Sequence, residues 1–330
     1  MAPVEIKTFM LQKDGEPSTC RDRMALAPSR GLFAVADGVT RSYLPQVVAE
    51  RACSLFVADP GPFTSWVERF EAEGLQQVAE AWNARATELL DALAATDPRR
   101  RDNVMRVRSR MPAGATTLAG ICVDAASGSI GYHILGDSTL FVFDAAGTSM
   151  KALCTSPTEE RDGRAGYVVY DNRPSCICPT SPRCEGTVDY GCKGEWRSGS
   201  LPLAPGYVVL ATDGVSQWLQ DEFLAHGIEA VRRLWELPDQ AAFEALSAQV
   251  RADGAQFDDD LAVILLRIPA DGADGTFVEL VRGDLEFAGV PPRRPAEAAA
   301  PAAPAEPSQL PRWSYSRWIK ALFRKGLNNG

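Results

Sequence analysis

Aspartate recurs along this chain at places where a carboxylate could do chemistry. Asp37-Gly38 closes the apolar run GLFAVA, Gly136-Asp137-Ser138 closes GYHIL, Asp213-Gly214 closes GYVVLAT, and Asp258-Asp259-Asp260 opens LAVILL. Three of these carboxylates leave strand ends and one set enters a strand. In an antiparallel sheet such ends can lie on one edge. Carboxylates gathered there repel each other unless a cation neutralises them. Mg²⁺ and Mn²⁺ suit an all-oxygen, water-retaining environment of this kind. Glycine after Asp37 and Asp213 lets the backbone turn sharply, and its carbonyl can add a ligand. A single Asp-Gly is only a turn signal. The ordered set of four carries the inference.

The elements that must position these residues read as mixed α and β. Short apolar runs bounded by Gly and Asp predict strands at GLFAVA, TTLAGICVD, SIGYHIL, TLFVFD, YVVLAT and LAVILLRI. Helical periodicity marks PQVVAERACSLFVAD, the thirty-residue stretch SWVERFEAEGLQQVAEAWNARATELLDALAA, and PDQAAFEALSAQVRADG before the last strand. Several strands follow one another without a helix between them, which argues for antiparallel sheets. No internal repeat is visible.

The chain has 330 residues, 45% of them apolar and 23% charged, and a net charge of −9. This is globular composition, and the negative balance argues against nucleic acid as a partner. The two histidines, His133 and His226, leave a metal to carboxylates or thiolates. The N-terminal residues lack the apolar segment of a secretory signal, and no stretch reaches the ~20 apolar residues of a membrane span. A cytoplasmic location with reduced cysteines is therefore expected. Cys20, Cys53, Cys122 and Cys154 are scattered and read as small core residues. Cys176, Cys178, Cys184 and Cys192 cluster, but their spacing departs from paired zinc ligands. Free thiols in a loop are expected there. The Arg-rich run from Pro98 to Arg110 reads as a solvated loop, or as a guide for an acidic substrate. Residues 291–311 form a Pro/Ala-rich linker. Residues 312–330 form a basic, aromatic, amphipathic tail suited to an acidic membrane surface or a partner groove.

Six motifs in order resemble the metal-dependent protein phosphatase family, the type 2C serine/threonine phosphatases, in its bacterial form. They are Arg21-Asp22, VADG at Val35 to Gly38, GATT at Gly114 to Thr117, GDS at Gly136 to Ser138, ATDG at Ala211 to Gly214, and DDLAVILL from Asp259. The resemblance spans about Met1 to Ile268, within an expected domain of residues 1–290. It implies an α+β fold, a four-layer αββα sandwich of two antiparallel sheets flanked by helices, with two Mn²⁺ or Mg²⁺ ions between the sheets. It further implies that Asp37 bridges the ions, that the Gly38 carbonyl lies on one ion while Asp213 and Asp259 complete the protein ligands of the other, that Asp22 holds metal-bound waters or sits just behind them, and that Asp137 helps bind a third, weaker ion. The implied activity is hydrolysis of phosphoserine or phosphothreonine in a phosphoprotein by a metal-activated hydroxide, opposed by a serine/threonine kinase. Asp22, Asp37 and Asp213 are the implied catalytic residues.

The sequence departs from the family at three places. Val39 stands where a histidine often follows Asp-Gly and can protonate the leaving group, a function typically worth about 10²–10⁴-fold. The upstream arginine that grips phosphate is missing, and Arg21, Arg23 or Arg41 are the candidate substitutes, with Arg21 and Arg41 preferred. Asp260 stands for the usual asparagine. Two other readings stay open: a weak or inactive phosphoprotein-binding module recruited through the tail, and a hydrolase of small phosphate esters.

Overall fold

The computed structural model describes residues 1–13, 19–108, 112–161, 164–170, 174–180, 188–254 and 259–283. The expected linker and tail lie outside the described residues, as do Asp258 and Cys184. The chain begins with β1 (Ala2–Leu11), β2 (Arg23–Ala27) and β3 (Leu32–Ala36), followed by α1 (Pro45–Ala58), α2 (Trp66–Arg69), α3 (Leu75–Thr96) and α4 (Pro98–Arg108). Next come β4 (Leu118–Asp124), β5 (Ser129–Leu135), β6 (Thr139–Asp144), β7 (Met150–Leu153), β8 (Thr158–Arg161), β9 (Arg164–Val168), β10 (Cys176–Pro179), β11 (Tyr190–Lys193), β12 (Arg197–Pro202) and β13 (Gly206–Ala211). The last part holds α5 (Asp213–His226), α6 (Glu229–Trp235), α7 (Gln240–Ala252), β14 (Leu261–Ile268) and β15 (Ala273–Arg282).

Two large sheets carry the fold. One has the order β15-β1-β14-β13-β6-β7 and the other β12-β5-β4-β3-β2. Their inner faces share one core: Phe33, Val35, Ile121 and Ile130 meet Ile6, Phe141, Val209 and Val263. Val215, Leu219 and Phe223 of α5 and Phe243 and Val250 of α7 join the same apolar cluster from the far side of the six-stranded sheet. A second cluster packs Val48, Ala52 and Phe56 of α1 and Val78, Trp82 and Ala86 of α3 against Ala34, Ala36, Leu118 and Leu135. The layering is therefore helix, sheet, sheet, helix, as the family resemblance implies. One departure lies at an edge: β1 pairs β14 antiparallel but β15 parallel, so the six-stranded sheet is mixed.

Local sequence accounts for the elements nearest the carboxylates. β3 and β14 are interior strands, and every residue of β3 and all but one of β14 are buried, so they read as apolar runs rather than alternations. In α3 the buried residues Val78, Ala79, Trp82, Ala86 and Leu90 repeat at helical spacing. Trp82 also donates its indole N–H to the Tyr43 carbonyl at 2.8 Å, tying the helix to the loop after Gly38. The expected thirty-residue helix is present as α2 and α3, joined by a π-turn at Phe70–Gly74. The described part of the Arg-rich run, Pro98–Arg108, is a helix, not the expected loop. Asp97 accepts from the N–H groups of Arg99 and Arg100 and Pro98 opens the first turn, a capped start.

Candidate metal centre

Register brings the first two carboxylates together. β2 and β3 are antiparallel with Arg23 opposite Ala36, so Asp22 and Asp37 are the next pair along. Asp37 is fixed through its backbone. Its N–H donates to Thr117 Oγ1 at 3.1 Å, and its carbonyl accepts from Thr117 N–H at 2.9 Å and Thr116 Oγ1 at 2.7 Å. Thr117 Oγ1 also lies 2.7 Å from Ser138 Oγ, which links this turn to the Gly136-Asp137-Ser138 turn between β5 and β6. GATT and GDS thus act as braces, a role their residue types alone did not reveal. A Cβ on Gly38 would lie 2.7 Å from the Arg21 carbonyl oxygen, so only glycine fits between the two turns.

β13 and β14, in the facing sheet, bring the other carboxylates to the same end of the two packed sheets. They are antiparallel with Ala211 opposite Val263, and the Thr212 N–H donates to the Ala262 carbonyl at 3.0 Å. Asp213 is the first residue of α5, not part of a simple turn, and its Oδ1 accepts from the Gly214 N–H at 2.7 Å. A helix start favours negative charge. Asp259 Oδ1 accepts from the Asp260 N–H at 2.8 Å. Asp260 is buried, with Oδ1 accepting from the Lys13 N–H at 3.1 Å and Oδ2 from the Arg21 N–H at 2.8 Å. It clasps the N-terminal segment to the entry of β14. That role was missed because Asp260 was read only as a replacement for asparagine.

The arginines divide. The Arg21 guanidinium faces Asp260 Oδ2 at 3.4 Å and Asp259 Oδ1 at 3.8 Å. Arg23 donates to the Cys20 and Asp22 carbonyls at 2.8 and 2.6 Å and braces its own loop. Arg41 is exposed on the loop before α1. Neither histidine stands at this end. His133 is buried and stacked on Phe63, with its ring nitrogens 2.7 Å from Ser198 Oγ and 2.8 Å from the Phe63 carbonyl. His226 is the last residue of α5, about 20 Å along the helix from Asp213 at 1.5 Å per residue.

Electrostatics show how closely the carboxylates gather. Burial pushes Asp37 up to about 7, with Asp137 and Asp259 adding to the rise. Asp22 and Asp213 lie well above the ordinary carboxylate range, through burial first and then the charge of Asp37 and their other acidic neighbours. Arg21 offsets part of the shift at Asp37 and Asp213. Asp22 Oδ2 is buried with no hydrogen-bond partner. Among the described residues, no three Asp, Glu, His or Cys side chains form a ready-made ligand cage. The donor set still fits a hard divalent ion. It is all oxygen, carries uncompensated negative charge, and leaves one buried oxygen unserved, and such ions commonly take one or two carboxylates and keep several waters.

The metal-free protein is expected to lose stability as pH rises from about 4 to about 7. The folded state holds protons on Asp22, Asp37 and Asp213 that the unfolded chain releases near 3.8, so the folded state binds more protons and rising pH disfavours it. Thermal melts in chelator across that range check this, and Mn²⁺ or Mg²⁺ added near neutral pH restores the melting temperature. A metal-free melting temperature that climbs from pH 4 to 7 would refute the assignment.

The insert between β7 and β12 is folded against this end. The Thr116 and Ile177 backbones exchange two hydrogen bonds, of 3.0 and 2.8 Å. Gln220 of α5 accepts from the Val168 N–H at 2.7 Å and donates to Tyr170 Oη at 2.9 Å. The seven described cysteines form no disulfide with one another, and Cys176 and Cys178 on β10 and Cys192 on β11 stand on paired strands rather than in the expected loop.

No protein-family model matches the chain, and no curated protein does. Solved structures do resemble it. The S. agalactiae serine/threonine phosphatase is 16% identical over 81% of this chain and 100% of its own, with a TM-score of 0.47. PppA of Pseudomonas aeruginosa, described as a regulatory component of a type VI secretion system, is 17% identical over 81% of this chain and 98% of its own, with a TM-score of 0.44. The catalytic domain of the serine/threonine phosphatase PstP, solved with two manganese ions, is 15% identical over 80% of this chain and 97% of its own, with a TM-score of 0.38. Serine/threonine phosphatases are thus among the solved structures to which this chain is similar.

Proposed function

We propose that the protein is a Mn²⁺- or Mg²⁺-dependent serine/threonine phosphoprotein phosphatase. The observation that carries this reading is the gathering of Asp22, Asp37, Asp137, Asp213 and Asp259 at one end of the two packed sheets, where burial and then mutual repulsion raise the pKa values of Asp22, Asp37 and Asp213. Asp37, the Gly38 carbonyl, Asp213 and Asp259 would hold two ions, with Asp137 available to a third. When bound, such ions neutralise phosphoryl charge and lower the pKa of water to near neutrality.

The chain's own groups do the rest. Asp22 Oδ2, buried and unserved, accepts a proton from water at the site. Thr116, Thr117 and Ser138 hold the Asp37 backbone so that its carboxylate does not have to reorganise. Arg21 balances the acidic cluster from behind, and the exposed Arg41 is the better placed of the two to meet a substrate phosphate. The leaving alkoxide draws its proton from solvent, since both histidines are held elsewhere. That feature also favours a second reading, a slow or inactive phosphoprotein-binding module.

The arginines of α4 suit an acidic phosphoprotein substrate, and an opposing serine/threonine kinase belongs to the same proposal. No helix among the described residues is long and apolar enough to cross a membrane. Cytoplasmic action, with tail residues 312–330 on a membrane surface or in a partner groove, completes it.

Phosphate release from a phosphothreonine peptide tests the function. Turnover is expected with Mn²⁺ and its loss with excess chelator. Peptide binding without turnover at saturating Mn²⁺ would select the binding module, and preference for small phosphate esters would select the metabolite hydrolase.

A further inference from the structure

Cys176 and Cys178 sit two apart on β10, so their side chains share one face of the strand. The β10–β11 register sets Cys176 opposite Lys193, Ile177 opposite Cys192 and Cys178 opposite Gly191. Cys192 therefore lies on the other face with Ile177, which is fully buried, and cannot compete for Cys178. Glycine opposite Cys178 leaves that half-buried thiol without a side chain over it. Lys193 is exposed and adds positive charge beside the pair. The two thiols are electrostatic neighbours. Cys176 as neighbour lowers Cys178 to about 7, with Lys193 helping, while Cys178 and burial raise Cys176.

We infer that Cys176 and Cys178 are a peroxide-oxidised dithiol, and that their disulfide pulls Ile177 away from Thr116 and so loosens the turn that holds Asp37. The chemistry balances. The Cys178 thiolate attacks one peroxide oxygen, the O–O bond breaks, and a sulfenic acid forms as the other oxygen leaves as water or alcohol. Cys176 sulfur then attacks Cys178 sulfur, the S–O bond breaks, and water departs with the Cys176 proton. Two thiols lose two electrons and the peroxide gains them.

The mechanical consequence follows from strand geometry. Alternate Cα atoms of an extended strand are about 6.4–6.8 Å apart, whereas disulfides favour roughly 5.5–6 Å. The strand's spacing lies at the long end of the roughly 4.4–6.8 Å that disulfides span, so closing the bond at its preferred length shortens the strand at Ile177. The Ile177 N–H and C=O make the two backbone bonds to Thr116, whose Oγ1 donates to the Asp37 carbonyl at 2.7 Å. The distortion thus reaches a candidate ligand through three hydrogen bonds. Its effect on turnover rests on the phosphatase reading; the thiol chemistry and the strand distortion do not.

The test treats the full-length Mn²⁺-loaded chain with hydrogen peroxide, alkylates remaining thiols after denaturation, and reads peptides by mass spectrometry. The peptide carrying Cys176 and Cys178 is expected to lose two hydrogens and escape alkylation at both positions, reversibly with dithiothreitol. Cys176→Ser and Cys178→Ser each abolish this, and Cys192→Ser does not. Hydrogen exchange at the Thr116 and Ile177 amides rises about tenfold on oxidation, as for loss of a typical hydrogen bond, and phosphate release falls with it. A bond to a different cysteine, unaltered amide exchange, or full turnover by the oxidised enzyme would each overturn the inference. A reduced protein that never turns over would instead sink the phosphatase reading, with the mass and exchange results still deciding the thiol pair.

Discussion

Asp213→Ala is expected to remove metal-dependent phosphate release, by at least about 10²–10³-fold, the scale set by loss of one charge-stabilising group in an active site. Asp213 opens α5 and its carboxylate sits among the other acids, so no neighbour can take its place without moving a strand. The variant should still fold. It removes a carboxylate whose ionisation the site opposes, so in chelator near neutral pH it melts higher than wild type. Loss of activity with gain of metal-free stability is a combined signature that simple misfolding cannot produce. A variant that keeps full Mn²⁺-dependent turnover would take Asp213 out of the ligand set. Asp37→Asn is expected to behave alike.

Asp260→Ala is expected to give the largest loss of stability. Asp260 is 1% exposed and receives the backbone N–H groups of both Lys13 and Arg21, with the Arg21 guanidinium beside it. Removing it strands two backbone donors, each a loss of about 1–3 kcal/mol, while Asp259 still faces the Arg21 guanidinium. Asp260→Asn keeps one acceptor oxygen and should lose less than half as much. Urea melts of the metal-free proteins distinguish the two. Equal stability for the alanine and asparagine variants would show that the clasp does not hold the N-terminal segment.

The carboxylates were legible in the sequence because each stands at the end of an apolar run, and a strand fixes what lies at its end. The pairing of Asp22 with Asp37 was not legible, since it depends on the register of β2 against β3. α5 escaped notice for a different reason. Val215, Trp218, Leu219 and Phe223 are buried at helical spacing, yet Asp213-Gly214 reads locally as a turn and hides the helix start. β1 and β15 were also missed: β15 is largely exposed and offers little alternation to read. The Arg-rich helix α4 shows a capping aspartate and proline overriding a polar composition. Thr116, Thr117 and Ser138 could be found as motif members, but their bracing depends on hydrogen bonds between segments far apart in the chain.

The sheet order has a consequence for biosynthesis. β1 is the first strand made, yet its two neighbours, β14 and β15, are the last two described. Asp22 likewise waits for Asp260 to fasten its loop. Such distant pairing slows folding, and on the ribosome the first strand must stay without its partners until nearly the whole domain has emerged. The acidic cluster cannot exist on a partial chain, so the proposed metal site would form only after synthesis of the domain is essentially complete.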